Sequence, residues 1–278
     1  PVPLMNFING GKHALNSTDF QEYLIVPLKS KNFSETITTG QKIFQSLKNI
    51  IEEENFEFSL GDEGGFGIKT ESNQKPLEIL TRAIERAGYQ PGKEVALALD
   101  AAASEFFLNG NYFLKNDGVV LTTQEIISLY QKMATDYPLI SIEDGLQEED
   151  WQGFSQLTAR LGDKIQIVGD DLYTTNYQRL KKGIKTKATN AIIIKPNQIG
   201  TLTETVQVIK TSQKAGLQPI ISHRSGETND SFIADLAVAS GSNQIKTGAL
   251  TQPERKTKYN RLIEIEKELV GTSKLASF

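Results

Sequence analysis

Residues 191–223 read AIIIKPNQIGTLTETVQVIKTSQKAGLQPIISH and hold one whole strand–helix–strand unit. Ala191–Ile194 is a short run, apolar at every position, as a strand needs when both of its faces are covered. Thr203–Ala215 then spaces Val206, Val208 and Ile209 at helical intervals, and Gly216 supplies a C-terminal stop. Pro219–Ile221 opens the next strand. A strand followed by a helix and a further strand predicts a parallel sheet.

The same plan extends outward from this unit. Val95–Leu99, Leu139–Ile142, Ile165–Val168 and Asn243–Ile245 are further strand-like runs, and Thr123–Asp136 repeats the helical pattern with Ile126, Ile127, Leu129, Tyr130 and Met133. The front is different. Pro1–Ile8 and Phe20–Pro27 read as strands, and Ser34–Glu53 and Lys75–Ala87 as two successive helices. Only the glycine-rich Gly61–Gly67 lies between those helices, with no strand expected there. The order is strand, strand, helix, helix, then six strand–helix units. Eight strands favour an α/β, TIM-like barrel over an open sheet.

Composition narrows the function classes. The chain has 278 residues, a length one barrel domain fills. It has no cysteine, which excludes disulfides, thiolate catalysis and cysteine-held metals. A net charge of -4 gives no direct nucleic-acid signal, although a local basic pocket could hold a small phosphorylated ligand. No apolar run approaches the roughly 20 residues of a membrane span. The chain begins at Pro1 without a secretory pattern, so a soluble protein whose natural start lies upstream is expected.

The strand ends carry the chemistry. In order they finish at Asp100, Glu143-Asp144, Asp170-Asp171, Lys195, His223-Arg224-Ser225 and Lys246. In a parallel barrel these ends share one rim, so acidic stations come first and basic ones follow. Asp100, Glu143 and Asp170 are hard oxygen donors that suit magnesium. Asp144 and Asp171 read as capping or supporting neighbours. Lys195 follows four apolar residues, and burial beside other cations would lower its pKa and leave an amine able to take a proton. Arg224 and Ser225 beside a glycine suit a phosphate or carboxylate. Glu63 sits in a flexible, glycine-flanked turn as a candidate general acid, and His13 in the loop after the first strand is one of two histidines.

With these residues in place the sequence resembles the enolase family. The match runs through Asn9-Gly-Gly-Lys-His13-Ala, Gln21-Glu22, Gly61-Asp-Glu63-Gly-Gly-Phe, Leu99-Asp100 with Ser104-Glu105-Phe106, and Ser141-Ile-Glu143-Asp-Gly. It continues through Gly169-Asp170-Asp171-Leu, Ile194-Lys195-Pro-Asn-Gln-Ile-Gly-Thr, Ser222-His-Arg-Ser-Gly-Glu-Thr228, Ile245-Lys246-Thr-Gly and Lys258-Tyr-Asn-Arg-Leu. The blocks keep family order along essentially the whole chain.

The resemblance implies a ββαα(βα)6 barrel whose second strand is antiparallel, with residues 1–278 as a single catalytic domain. It implies magnesium-dependent, reversible dehydration of 2-phospho-D-glycerate to phosphoenolpyruvate in glycolysis and gluconeogenesis. Lys195 would be the base and Glu63 the acid. Asp100, Glu143 and Asp170 would hold one magnesium, and a second would arrive with substrate. His13, Gln21, Glu22, His223, Arg224, Ser225 and Lys246 would line the substrate pocket. Sites of the enolase superfamily set a lysine or histidine base beside one or two magnesium ions. Family members carry an N-terminal capping domain, absent from this sequence, so the barrel alone is expected to be weakly active or inactive. A homo-oligomer, dimer or higher, is implied for the complete enzyme. So is a cytoplasmic location, with surface or secreted forms also known in the family. Two rival readings are a related barrel acting on a phosphate-free acid and a surface-binding protein. The Arg224-Ser225 station and the Glu63 loop oppose the first, and the ending Leu-Ala-Ser-Phe278 lacks the terminal lysine that would support the second.

Overall fold

Eight strands close into a barrel in the computed structural model, which describes residues 1–14 and 17–278. They are β1 (Val2–Asn9), β2 (Glu22–Pro27), β3 (Val95–Asp100), β4 (Leu139–Glu143), β5 (Gln166–Gly169), β6 (Ala191–Ile194), β7 (Gln218–Ser222) and β8 (Gln244–Lys246). Each pairs with its successor, and β1 pairs with β8 to close the ring through Val2–Gln244, Pro3–Ile245 and Leu4–Lys246. β2 is antiparallel to both β1 and β3, while every other pairing in the ring is parallel.

The helices follow in the expected order: α1 (Phe33–Glu53), α2 (Lys75–Arg86), α3 (Thr123–Asp136), α4 (Trp151–Leu161), α5 (Tyr177–Thr186), α6 (Leu202–Lys214), α7 (Phe232–Ala239) and α8 (Pro253–Glu268). Local chemistry starts several of them. Asn32 Oδ1 accepts from Glu35 N at 2.8 Å before α1, and Thr122 with Glu125 forms a reciprocal cap before α3. Gly40 lets α1 lie directly on β1, since a Cβ there would stand 2.5 Å from Met5 Sδ. No helix among the described residues is long and apolar enough to cross a membrane.

Two hydrophobic layers explain why the strands read as continuously apolar. Val2, Leu4, Leu24, Val26, Ala98, Val168, Ala191, Ile193 and Ile220 fill the barrel interior. Ile192 and Ile194, on the opposite face of β6, belong to the larger core between sheet and helices. Period-two alternation is present, but both faces meet apolar neighbours.

Two features depart from the sequence expectation. The segment between α1 and α2 contains a β-hairpin, Phe58–Leu60 paired with Phe66–Ile68, whose second strand extends β1 through Ile8–Phe66 and Asn9–Gly67. Its strands are only three residues long, too short for periodicity to register. A separate three-stranded sheet, Phe107–Leu108, Asn111–Leu114 and Val119–Leu121, lies between β3 and α3.

Ile193 tests the interior packing. Ile193→Ala should destabilise the chain by roughly 2–5 kcal/mol, because the enclosed barrel cannot collapse around the lost atoms. Denaturant unfolding would measure this, and a loss under about 1 kcal/mol would show that the interior is not close-packed.

Candidate functional site

Strand direction gathers the charged residues at one mouth. Asp100, Glu143 and Lys246 are the last residues of β3, β4 and β8, while Asp170, Lys195 and His223 follow β5, β6 and β7 directly. β2 runs the other way, so its first residue, Glu22, reaches the same rim, opposite Asn9 of β1 and Asp100 of β3. The hairpin on β1 carries Glu63 at its tip.

Lys246 organises the acidic side. Its Nζ lies 2.8 Å from Asp100 Oδ2, 2.9 Å from each Glu143 oxygen and 3.2 Å from Glu22 Oε2. Lys195 Nζ bonds the Asp170 carboxylate. All four carboxyl groups are buried, so four acids share two ammonium groups and cannot all ionise against them. The imbalance shows in the titration directions. Burial, then Asp100, push the Glu143 carboxyl well above its ordinary range despite Lys246. Burial, then Glu63, do the same to Glu22. Lys246 is nevertheless driven up, since Asp100, Glu143 and Glu22 outweigh the desolvation that would lower it. One ammonium gains from three carboxylates that it cannot neutralise together.

Lys195 differs from its sequence expectation. Burial would lower its pKa, but Asp170 and Glu143 more than reverse that, so the amine is held protonated. Proximity to carboxylates wins over desolvation here. The backbone N–H of Lys195 donates to Thr175 Oγ1 at 2.9 Å, fixing the strand end from which the side chain departs.

The donor set fits a divalent cation. Hard oxygens predominate, the cluster holds more carboxyl groups than its lysines can pair, and Asp170 Oδ1 is buried without a hydrogen-bond partner among the described residues. Among the described residues Asp170 converges with Asp144 and Asp171, their ligand atoms within 4.8 Å of one another, whereas Asp100 and Glu143 gather on Lys246 instead. Asp144 is already committed: its carboxylate accepts from Asp170 N at 2.9 Å and from Asp171 N at 2.7 Å. It does so from a left-handed backbone, φ 41°, which costs about 1–3 kcal/mol. The supporting role expected for Asp144 is thus visible as two bonds, whereas Asp171 is exposed.

Glu63, expected in a flexible, glycine-flanked turn, is buried. Asn6 Nδ2 donates to its Oε2 at 3.1 Å, its carbonyl accepts from Ala249 N at 2.9 Å, and Gly64 turns the chain at φ 82°. His223 Nε2 faces Glu63 Oε2 obliquely at 3.1 Å. Burial pushes the Glu63 carboxyl up, but His223, Lys246 and His13 outweigh it and hold the group well below its ordinary range. Burial pushes the His223 imidazole down, against the pull of Glu63. The two groups titrate as a pair, since the strongest pull holding Glu63 low comes from His223 itself. His13 approaches from the other side, with Nδ1 3.6 Å from Glu22 Oε1.

The remaining pocket candidates are less buried. Arg224 is half-buried, its Nη1 donating to Asn197 Oδ1 at 3.4 Å, and Ser225 is exposed. Gln21 is half-buried and acts here through its backbone: its N–H donates to Asp100 O at 3.1 Å and its carbonyl accepts from Gly10 N at 2.9 Å. Sequence reasoning missed Asn6, in the middle of an apolar strand, and Arg255, one charge among many on α8. Asn6 offered a signal, a polar residue inside the apolar Pro1–Ile8 run; Arg255 offered none.

The fold and mouth define a TIM-like ββαα(βα)6 barrel whose C-terminal rim gathers buried carboxylates and the two lysines paired with them. The chain belongs to the enolase family, matching the family model described as Enolase, C-terminal TIM barrel domain, over residues 1–277. It is similar to a protein named Enolase from Natranaerobius thermophilus, with 51% identity over 274 residues. That alignment covers 99% of this chain and 64% of the relative, so the chain spans less than two thirds of that protein's length.

The crowded carboxylates predict linked proton release. Glu22 and Glu143 are raised when folded, so their stabilising contribution is full below the ordinary carboxylate range. It is lost as pH rises through the raised values. A cation requires ionised oxygens and must displace the retained protons. Magnesium titrations in buffers of different ionisation enthalpy should therefore show proton release that grows as pH falls. Proton-neutral binding throughout roughly pH 5–8 would contradict the crowding argument.

Proposed function

We propose that residues 1–278 form the catalytic barrel domain of an enolase, phosphopyruvate hydratase, which dehydrates 2-phospho-D-glycerate reversibly to phosphoenolpyruvate. The observation that carries this reading is the arrangement of two proton-handling groups around one charged mouth. Lys195 follows β6 and Glu63 rides on the hairpin beside β1, with β7 and β8 between those strands. The carboxylates and Lys246 occupy the same mouth.

Base and acid would act on neighbouring substrate carbons. Lys195, held protonated in the free chain by Asp170 and Glu143, must first give up a proton to solvent; its neutral amine then takes the proton from the carbon beside the substrate carboxylate, and the released electron pair moves onto that carboxylate. As the pair returns to form the double bond, the hydroxyl on the next carbon leaves as water with a proton from Glu63. Asp100, Glu143 and Asp170 would hold magnesium, which when bound stabilises the growing carboxylate charge and competes with Lys195 for Asp170. Lys246 adds a buried positive charge at the same place, where low dielectric strengthens it. Neighbouring cations and His223 hold the Glu63 carboxyl below its ordinary range in the free chain. An anionic substrate beside it would raise its proton affinity, the direction an acid requires. Arg224 offers a planar fork for the phosphate, and Ser225, Gln21 and His13 complete the rim.

The capping domain seen in the family would close this mouth, excluding water and raising turnover more than metal affinity. Homo-oligomer formation and cytoplasmic glycolytic use belong to the same proposal.

Calorimetry tests the metal and substrate parts together. Magnesium should bind the unaltered chain, bind more tightly with 2-phospho-D-glycerate, and fail to bind Asp170→Ala. A phosphate-free hydroxy acid giving equal tightening would favour a related barrel chemistry instead. In the barrel joined to a capping domain, Lys195→Ala should abolish α-proton exchange while Glu63→Gln spares it and slows water loss by about 10²–10⁴-fold. Loss of exchange in both variants, or in neither, would refute the separate roles.

A further inference from the structure

Arg255 lies on α8, outside the rim, and is completely buried. Its partners are three carbonyls and an imidazole rather than a carboxylate. Nη1 lies 2.6 Å from His223 Nδ1 and donates to Arg224 O at 2.7 Å. Nη2 donates to Asp62 O at 3.2 Å and Ser225 O at 2.8 Å. The four terminal N–H groups thus meet four acceptors from two different loops.

A guanidinium has no acceptor, so the imidazole nitrogen facing it must accept. His223 Nδ1 is then unprotonated, and the ring proton sits on Nε2, which faces Glu63. Protonating Nδ1 would set two donors against each other at 2.6 Å inside the core. The low dielectric there makes such a clash costly. The burial that pushes the imidazole down agrees with this neutral form. The same fork holds the carbonyls of Asp62, next to Glu63, and of Arg224 and Ser225.

We propose that Arg255 is the positioning residue of the site, fixing His223 as the Nε2–H tautomer, with Nε2 3.1 Å from Glu63 Oε2, and registering the Glu63 hairpin against the Arg224–Ser225 loop. Its catalytic meaning rests on the reading of Glu63 as the acid. The tautomer itself does not. Gly248 supports the arrangement, since a Cβ there would stand 3.1 Å from both Arg255 Cδ and His223 Cε1. Lys258, one turn further along α8, continues the clamp by bonding Thr228 O and lying 2.6 Å from Glu227 Oε2.

Nitrogen-15 histidine labelling tests the assignment directly, because the chain has only two histidines and His13→Gln identifies the His223 signals. Near neutral pH the unaltered chain should show Nδ1 without a proton and Nε2 with one. Arg255→Lys, still donor-only, should keep that pattern, whereas folded Arg255→Met should lose it through protonation at Nδ1. A proton on Nδ1 in the unaltered chain would overturn the proposal, as would a folded methionine variant with the original tautomer. Should the methionine variant fail to fold, the unaltered and lysine proteins still decide the question. The predicted tautomer combined with full water elimination by capped Glu63→Gln would support Arg255 positioning while removing the acid reading of Glu63.

Discussion

The structure of the mouth depends on a buried ammonium shared by carboxylates from three strands. Lys246 reaches from β8 to Glu22 on β2, Asp100 on β3 and Glu143 on β4. Removing ions from water costs several kcal/mol each, which only close pairing repays. The shared cation therefore holds the acidic residues in position while leaving the cluster short of positive charge. A purely structural ion pair would balance. This one, with Lys195 and Asp170 beside it, leaves a deficit of the sign that a cation relieves.

Antiparallel β2 makes that geometry available. Had β2 run parallel to its neighbours, its first residue would lie at the far end of the barrel and Glu22 would be remote from Lys246. The register shift in β1 pairing between Asn6 and Ile8 has a related effect. Beyond it, β1 pairs with the hairpin, which brings Glu63 over the mouth and against Asn6. Backbone direction thus governs which carboxylates can share a cavity.

Much of this was legible because parallel strands turn a one-dimensional pattern into a shared rim. Ala191–Ile194 is bounded as its apolar run predicts, and Asp100, Glu143, Asp170, Lys195, His223 and Lys246 all lie at or just beyond strand ends. The antiparallel second strand followed from family resemblance, since Phe20–Pro27 has no directional signal of its own. The hairpin around Glu63 escaped because three-residue strands carry no period, and its glycines suggested freedom where packing leaves none. Lys195 escaped in a different way. Its burial was readable, but the Asp170 carboxylate that reverses its titration is distant in sequence. Arg255 was hidden by composition: α8 holds many charged residues, and only tertiary contacts distinguish an internal fork from solvated neighbours.

The reversed β2 strand also gives the ring a distinguishable seam. The later strand–helix units repeat one geometric step, each adding a strand in the same direction and exposing the same end. The β1–β2 quarter does not repeat it, because its hairpin turns back before the first helix. Duplicating a half barrel made of later units would generate eight like-directed strands and no inverted one. The seam therefore gives the ring a fixed angular origin, so that each later unit is distinguished from the others by its distance from β2.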